Sequence, residues 1–467
     1  MIKNNTFVFI VFIIIFHHSF SIKKNKEKKI KKIQNHTDIP SSILYWAKNN
    51  NIYIQKNLIL NQNKDASHNF YYFSSNSSIP NNTLLMKIPY NIMISKEILT
   101  EYINKSKRKN FLNLWEKILA LNNKNLFDFY SKQLLYITII LEYCTNKKKG
   151  HFYKKYKPYL EMYEYYNMDN FPAFFDDDEI YFLSPSGFGS ELIKLTELLR
   201  DEYLITKNDL KIESSLFDTF LKYRILTFAN SIRFNNTNLN KELKSSEYNI
   251  EYNDTVIVPF IDCFKKKIYN RDSIMAEYSF VKDEKDQYYL EIRATKDIKE
   301  GAEITLQWRR LSNQDSYLYY GFIDEENILL PKIYVNVLNN MMKNDLGIDE
   351  NKTFDKIAKR DLYELNSEFI EADVVYSYKN ISENIDKYKN KKEGRYEMMA
   401  ENLNYYLRIY DEQITDGNIN LYISGKEKRR IIKILMKMER EIFNDKINYI
   451  KMLIKDIKEK KYNFNDL

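Results

Sequence analysis

The sequence predicts an α+β protein in which small β-sheets are split by a long helical insert and followed by an all-helical C-terminal domain. Three observations carry that prediction. Tyr288–Ala294 (YYLEIRA) alternates β-rich with charged residues, the period of two of a half-buried strand, and residues 84–89 (LLMKIP) and 303–308 (EITLQW) read as companion strands. Apolar residues recur at spacings of three and four over 107–143 and 179–234, for instance Phe111, Leu114, Trp115 and Ile118, as a buried helix face requires. Beyond residue 330 the helical pattern resumes through Ile431, Ile434, Leu435, Met438 and Ile442 to Ile450, Leu453 and Ile457.

Local signals place the elements in order. Residues 41–47 (SSILYWA) begin a short helix with a serine as N-cap. Strands follow at 70–73 and 84–89, with a turn at 78–82 between them, and Lys299-Glu300-Gly301 is the turn before the last strand. Asp176 with Glu179 three residues on fits a capping box, as do Ser424 and Glu427. Met398, Met399, Tyr405 and Tyr406 form a stripe at helical spacing, which reads as core packing ahead of a binding groove.

Composition bounds the function. The chain has 467 residues, 44% hydrophobic and 15% aromatic, enough for two or three domains with a substantial core. Its net charge is +8, and residues 1–33 hold eight lysines against one glutamate, which is +7 of that total. The body is therefore almost neutral, and a broad basic face for nucleic acid is disfavoured. Cys144 and Cys263 allow one bridge and no disulfide framework, and His68 and His151 lack metal-ligand spacing. The apolar run FVFIVFIIIF ending at Phe16 reads as a secretory signal, with a signal anchor as the alternative, and the lysine-rich stretch behind it resembles a leader for a complex plastid. No integral span is expected in the mature chain.

The stretch from Val258 to Phe322 carries the chemistry. It contains Val258-Pro259-Phe260-Ile261-Asp262, then Gly301-Ala302-Glu303-Ile304-Thr305-Leu306-Gln307-Trp308, Leu311-Ser312-Asn313 and Tyr320-Gly321-Phe322. In this order the pieces resemble the second half of a SET domain of the Rubisco large-subunit and actin-histidine methyltransferase type. Upstream, Asn82-Thr83-Leu84-Leu85 and Ile88-Pro89 match the end of the family's N-terminal pattern, and Phe152 to Leu160 with Phe171-Pro172 matches a later one. The apolar and lysine-rich runs mark a signal peptide at 1–22 and a basic leader at 23–40, and the resemblance implies the SET domain at 41–105 and 251–328, a helical insert at 106–250, and a substrate-binding-like helical domain at 329–467. It further implies S-adenosylmethionine (AdoMet) as methyl donor and a protein or peptide lysine, or histidine, as acceptor. Such an enzyme places nucleophile, methyl and sulfur on one axis, in a narrow channel lined by hydroxyl and carbonyl oxygens.

Several positions depart from that pattern. The family's glycine pair before the first strand is missing, and Asp65-Ala66-Ser67-His68-Asn69 stands in its neighbourhood. Without glycine the backbone cannot approach a nucleoside as closely. Asp262 matches the family's acid, but Lys265 and Lys266 replace the Asn-His pair, offering donors only. Trp308 replaces the channel tyrosine with one N–H and more bulk. Arg233 sits one place from the family's arginine, reaching the pocket or the surface. Tyr320 is the candidate orienting hydroxyl, or else a core tyrosine, and Phe322 completes the motif. The resemblance thus leaves two functions open: an AdoMet-dependent protein methyltransferase with an altered site, or an inactive SET protein that binds peptide or protein. In the second, Trp308 and Tyr320 face a lysine or methyl-lysine ammonium.

Overall fold

The computed structural model describes residues 39–62, 71–95, 150–164, 166–210, 216–235, 253–268, 272–308, 311–327 and 394–459, with shorter pieces including 98–99, 101–102, 137–142, 333–335 and 363–365. The leader and most of the predicted helical region 107–143 lie outside the described residues, as do residues 65–69.

Helix α1 (Ile39–Asn49) precedes strands β1 (Tyr53–Ile54), β2 (Leu58–Gln62), β3 (Tyr71–Ser75) and β4 (Leu84–Pro89). The helix begins two residues before the serines, so Ser41 and Ser42 lie inside its first turn and neither is its N-cap. The insert contributes α2 (His151–Glu164), α3 (Asp177–Leu183), α4 (Gly187–Leu210) and α5 (Phe217–Ala229). The expected helix through Phe234 stops at Ala229, and strand β5 (Ser231–Asn235) pairs antiparallel with β6 (Asn253–Ile257). β-branched and aromatic residues at Ile232 and Phe234 suit this ribbon better than another helical turn.

Then come β7 (Lys265–Lys267), β8 (Ala276–Lys282), β9 (Tyr288–Ala294), β10 (Thr305–Gln307) and helix α6 (Asn313–Tyr320). Six strands form one mixed sheet in the order β1-β4-β9-β8-β10-β7. The pairs from β1 to β8 are antiparallel, and β10 runs parallel to both its neighbours. Leu85, Met86, Ile88, Leu290, Ile292, Ile304 and Leu306 bury one continuous core. The β2–β3 pair is attached to the sheet through Ile304 N–H to the Phe73 carbonyl and Gly301 N–H to the Ser75 carbonyl.

The region expected to be helical throughout contains a short β-pair, β11 (Ile333–Val335) with β12 (Tyr363–Leu365), before helices α7 (Gly394–Gln413), α8 (Asp416–Tyr422) and α9 (Lys426–Lys458). Met398 and Met399 are buried, as core packing requires. Tyr406 stacks on Phe443 at 6.1 Å between α7 and α9.

Two buried carboxylates fasten these helices to the insert. Glu179 completes the capping box on Asp176 and also accepts hydrogen bonds from Ser424 and from Lys428 Nζ at 2.9 Å. That use of Ser424 corrects the expected second capping box, because α9 starts from Gly425 with no side-chain cap. Glu439, on α9, accepts from the first N–H groups of α4, Gly187 at 2.9 Å and Phe188 at 2.7 Å, where a helix N-terminus favours negative charge.

Candidate functional site

Asp262 is presented on a single 3-10 turn, Ile261–Cys263, whose preceding residue Phe260 has φ +70°. A bulky side chain in that left-handed region is strained, and such strain persists only where packing enforces it. Phe260 is fully buried, 6.2 Å from the rings of both Trp46 and Phe73. The turn places Asp262 in the interior, where Tyr166 donates to its Oδ2 at 2.9 Å while Oδ1 has no hydrogen-bond partner. Burial pushes the Asp262 carboxyl up to about 6, against the opposing pull of the Tyr166 bond and of Lys266. Burial and the Asp262 charge hold the Tyr166 hydroxyl well above the ordinary tyrosine range, so it stays a donor.

Strand β7 sends its three lysines in different directions, since alternate side chains of a strand point to opposite faces. Lys265 pairs on the surface with Glu303 at 3.0 Å. Lys267 pairs with the fully buried side chain of Asp324 at 2.9 Å, and Asp324 also accepts from Ile268 N–H at 3.0 Å. The Lys267 contacts hold the Asp324 carboxyl below its usual range in spite of burial. Lys266 points inward. Its ammonium donates to the Ala229 carbonyl at 2.7 Å and to Asn230 Oδ1 at 3.1 Å, and lies 4.6 Å from the Trp308 ring centroid and 5.9 Å from that of Tyr320.

Both aromatic walls are held by local structure. The backbone N–H of Trp308 donates to the Lys267 carbonyl at 2.7 Å, and the indole ring meets that of Tyr320 edge-on at 6.0 Å. Tyr320 ends α6, which is N-capped by Ser312 and closed by Gly321 at φ +74°. A Cβ on Gly321 would come within 2.4 Å of the Phe171 ring. Glycine is therefore required by both backbone and space. Tyr320 also packs on Phe228 at 5.4 Å. Asn230 receives a hydrogen-bond partner from behind: its Nδ2 donates to Tyr163 OH at 3.3 Å, and Tyr163 OH meets Tyr159 OH at 2.7 Å.

The structure thus brings Asp262, Lys266, Trp308 and Tyr320 together, each of the three non-lysine side chains at least nine-tenths buried. It leaves Lys265 outside on Glu303. Phe322 is half-buried just beyond Gly321. Arg233 is placed on β5 opposite Thr255, which revises the expected helical geometry; its side chain lies outside the described residues. Tyr166, Asn230, Ala229 and Asp324 were not anticipated from the sequence.

Comparison with known proteins supports the architecture. No protein-family model and no curated protein sequence matches the chain. Solved structures do. The SET domain of LSMT bound to lysine and AdoHcy superposes with TM-score 0.61 over 90% of this chain and 92% of that one, at 11% identity. The same domain bound to methyl-lysine and AdoHcy gives 0.60 over 92% and 95%, at 13% identity. Rubisco LSMT bound to AdoMet gives 0.57 over 90% and 93%, at 12% identity. This is a SET fold. The β-sheets and the helices on both sides of Asp262 belong to that architecture, which positions the four side chains without prescribing what they do. Among the described residues no helix is long and apolar enough to cross a membrane.

The residues of this SET site do not fit AdoMet. Its sulfonium is a cation, and the Trp308 and Tyr320 rings meet edge-on at 6.0 Å with the Lys266 ammonium already lying against both. Trp308 Nε1 and Asp262 Oδ1 are both buried without partners, yet neither supplies the paired donor and acceptor of an asparagine.

Proposed function

We propose that this SET-fold protein is a protein-binding module that does not transfer methyl groups. The observation that carries the reading is the Lys266 ammonium seated over Trp308. By the family resemblance, Trp308 and Tyr320 border the methyl-transfer channel. A second positive charge about 5 Å from Lys266 would cost about 3 kcal/mol at an effective dielectric constant of about 20. That is a loss of roughly two orders of magnitude in affinity for a sulfonium. Several solved neighbours are described as bound to lysine or methyl-lysine, which supports a protein as the partner. The leader supports entry into the secretory pathway, with a plastid-type organelle as destination or a signal anchor as the alternative.

Methyl transfer with a rearranged donor site is the second reading, favoured by the retained Tyr320 and by the two unpartnered atoms, Asp262 Oδ1 and Trp308 Nε1. Calorimetry of the protein with AdoMet, together with transfer of labelled methyl to a protein extract, separates the two. The binding-module reading expects neither binding nor transfer. Transfer that disappears in Tyr320→Phe would overturn it.

A further inference from the structure

We infer that Lys266 is a built-in occupant of a cation cage made by Trp308, Tyr320, the Ala229 carbonyl and Asn230, holding the place that a partner protein's lysine or methyl-lysine side chain takes when Lys266 is displaced. The inference rests on the protein-binding reading and names both what the site binds and what keeps it closed. The cage has the chemistry of an ammonium site. An aromatic face lies 4.6 Å from the nitrogen, a second ring lies 5.9 Å away, and two oxygens accept its protons at 2.7 and 3.1 Å. Aromatic faces attract cations through the ring quadrupole, most strongly for indole.

The backbone under Lys266 cannot withdraw. The neighbouring Lys267 is pinned to Asp324, its carbonyl accepts the Trp308 N–H, and Asp324 in turn holds the Ile268 N–H. Asp324 is itself gripped by Asn313, which accepts its N–H at 2.9 Å and donates to its carbonyl at 3.0 Å. The cage wall on the other side, Asn230, is backed by Tyr163 and Tyr159. Opening therefore needs only rotation of the four-carbon Lys266 stem, on the edge strand of the sheet, about a fixed Cα. Long flexible lysine side chains make such exchanges cheaply.

Two experiments on the full chain test this. In the first, wild-type protein is reductively methylated with formaldehyde and borane, and labelling is read by mass spectrometry. Lys266 should react at least about tenfold more slowly than its exposed neighbour Lys265, because its nitrogen is held in the cage. Equal rates would overturn the inference. In the second, Lys266→Ala is melted with n-butylammonium, n-butyltrimethylammonium or neutral n-butanol. The two cations should raise its melting temperature and n-butanol should not, while wild type responds to none of them. A response to n-butanol equal to that of the cations, or no cation response in a folded variant, would overturn the proposal. The labelling experiment stands even if the variant does not fold. Methyl transfer by wild type would overturn the binding-module reading while leaving both readouts as they are, so the two failures are distinguishable.

Discussion

Replacing Asp262 by asparagine should stabilise the protein at neutral pH. The carboxyl is pushed up to about 6 from an ordinary 3.8 because its burial is only partly offset by Tyr166 and Lys266. At about 1.4 kcal/mol per pH unit, that gap corresponds to about 3 kcal/mol. The sign follows from proton binding. As pH rises through about 4 to 6, the unfolded chain releases this proton while the folded chain keeps it, so stability falls across the window and stays lower above it. Asparagine keeps an acceptor for the Tyr166 hydroxyl and removes the buried charge. Its loss of attraction to Lys266 takes back part of the benefit, leaving an expected gain of about 1–3 kcal/mol near pH 7.5 that shrinks towards zero near pH 4. Urea unfolding of both proteins at the two pH values measures it. A variant less stable than wild type at neutral pH, or a difference independent of pH, would refute the reasoning. A carboxylate retained at that cost belongs to the site's chemistry more than to the stability of the fold.

Glu179→Ala should cost about 3–5 kcal/mol by urea unfolding, since it strands the buried Lys428 ammonium and removes the acceptor of the Asp176 N–H, the reciprocal half of the capping box on α3. Glu439→Gln should flatten the pH profile between about 4.5 and 7, because burial pushes the Glu439 carboxyl up to about 7 against two N–H bonds and wild-type stability falls with rising pH through that window; a profile unchanged by the substitution would count against it. Gly321→Ala should cost on the order of 3 kcal/mol, from the left-handed backbone and the Phe171 contact, with Tyr320 displaced from Trp308. Near-ultraviolet circular dichroism and urea unfolding read that change.

Strand β9 was legible to the residue because its alternation of Leu290 and Ile292 with charged neighbours is a local signal, and the Asp176–Glu179 capping box was legible for the same reason. Ser424 shows the limit. Its spacing to Glu427 fits a cap, but the tertiary acceptor Glu179 claims its hydroxyl. The sequence pattern carries helix α5 on to Phe234 because Ile232 and Phe234 continue an apolar pattern, while pairing with β6, some twenty residues later, decides their state. At the site, Asp262, Trp308 and Tyr320 all stand out in the sequence motifs, and each of them lies near Lys266. What could not be anticipated was the occupant. In the sequence Lys266 is only a donor in place of the family's Asn-His pair, because its partners, Ala229 and Asn230, lie on another element and are set by how α5 ends.

The central sheet joins Leu84 to Arg293 across an insert of roughly 200 residues, and pairings so remote in sequence are slow to form. A ribosome must therefore deliver the whole insert and β9 before β4 finds its inner neighbour. Until then the first strands emerge as a half-finished edge, open to the wrong partner. Truncating the chain anywhere before residue 294 should yield aggregate, with no smaller folded unit to recover.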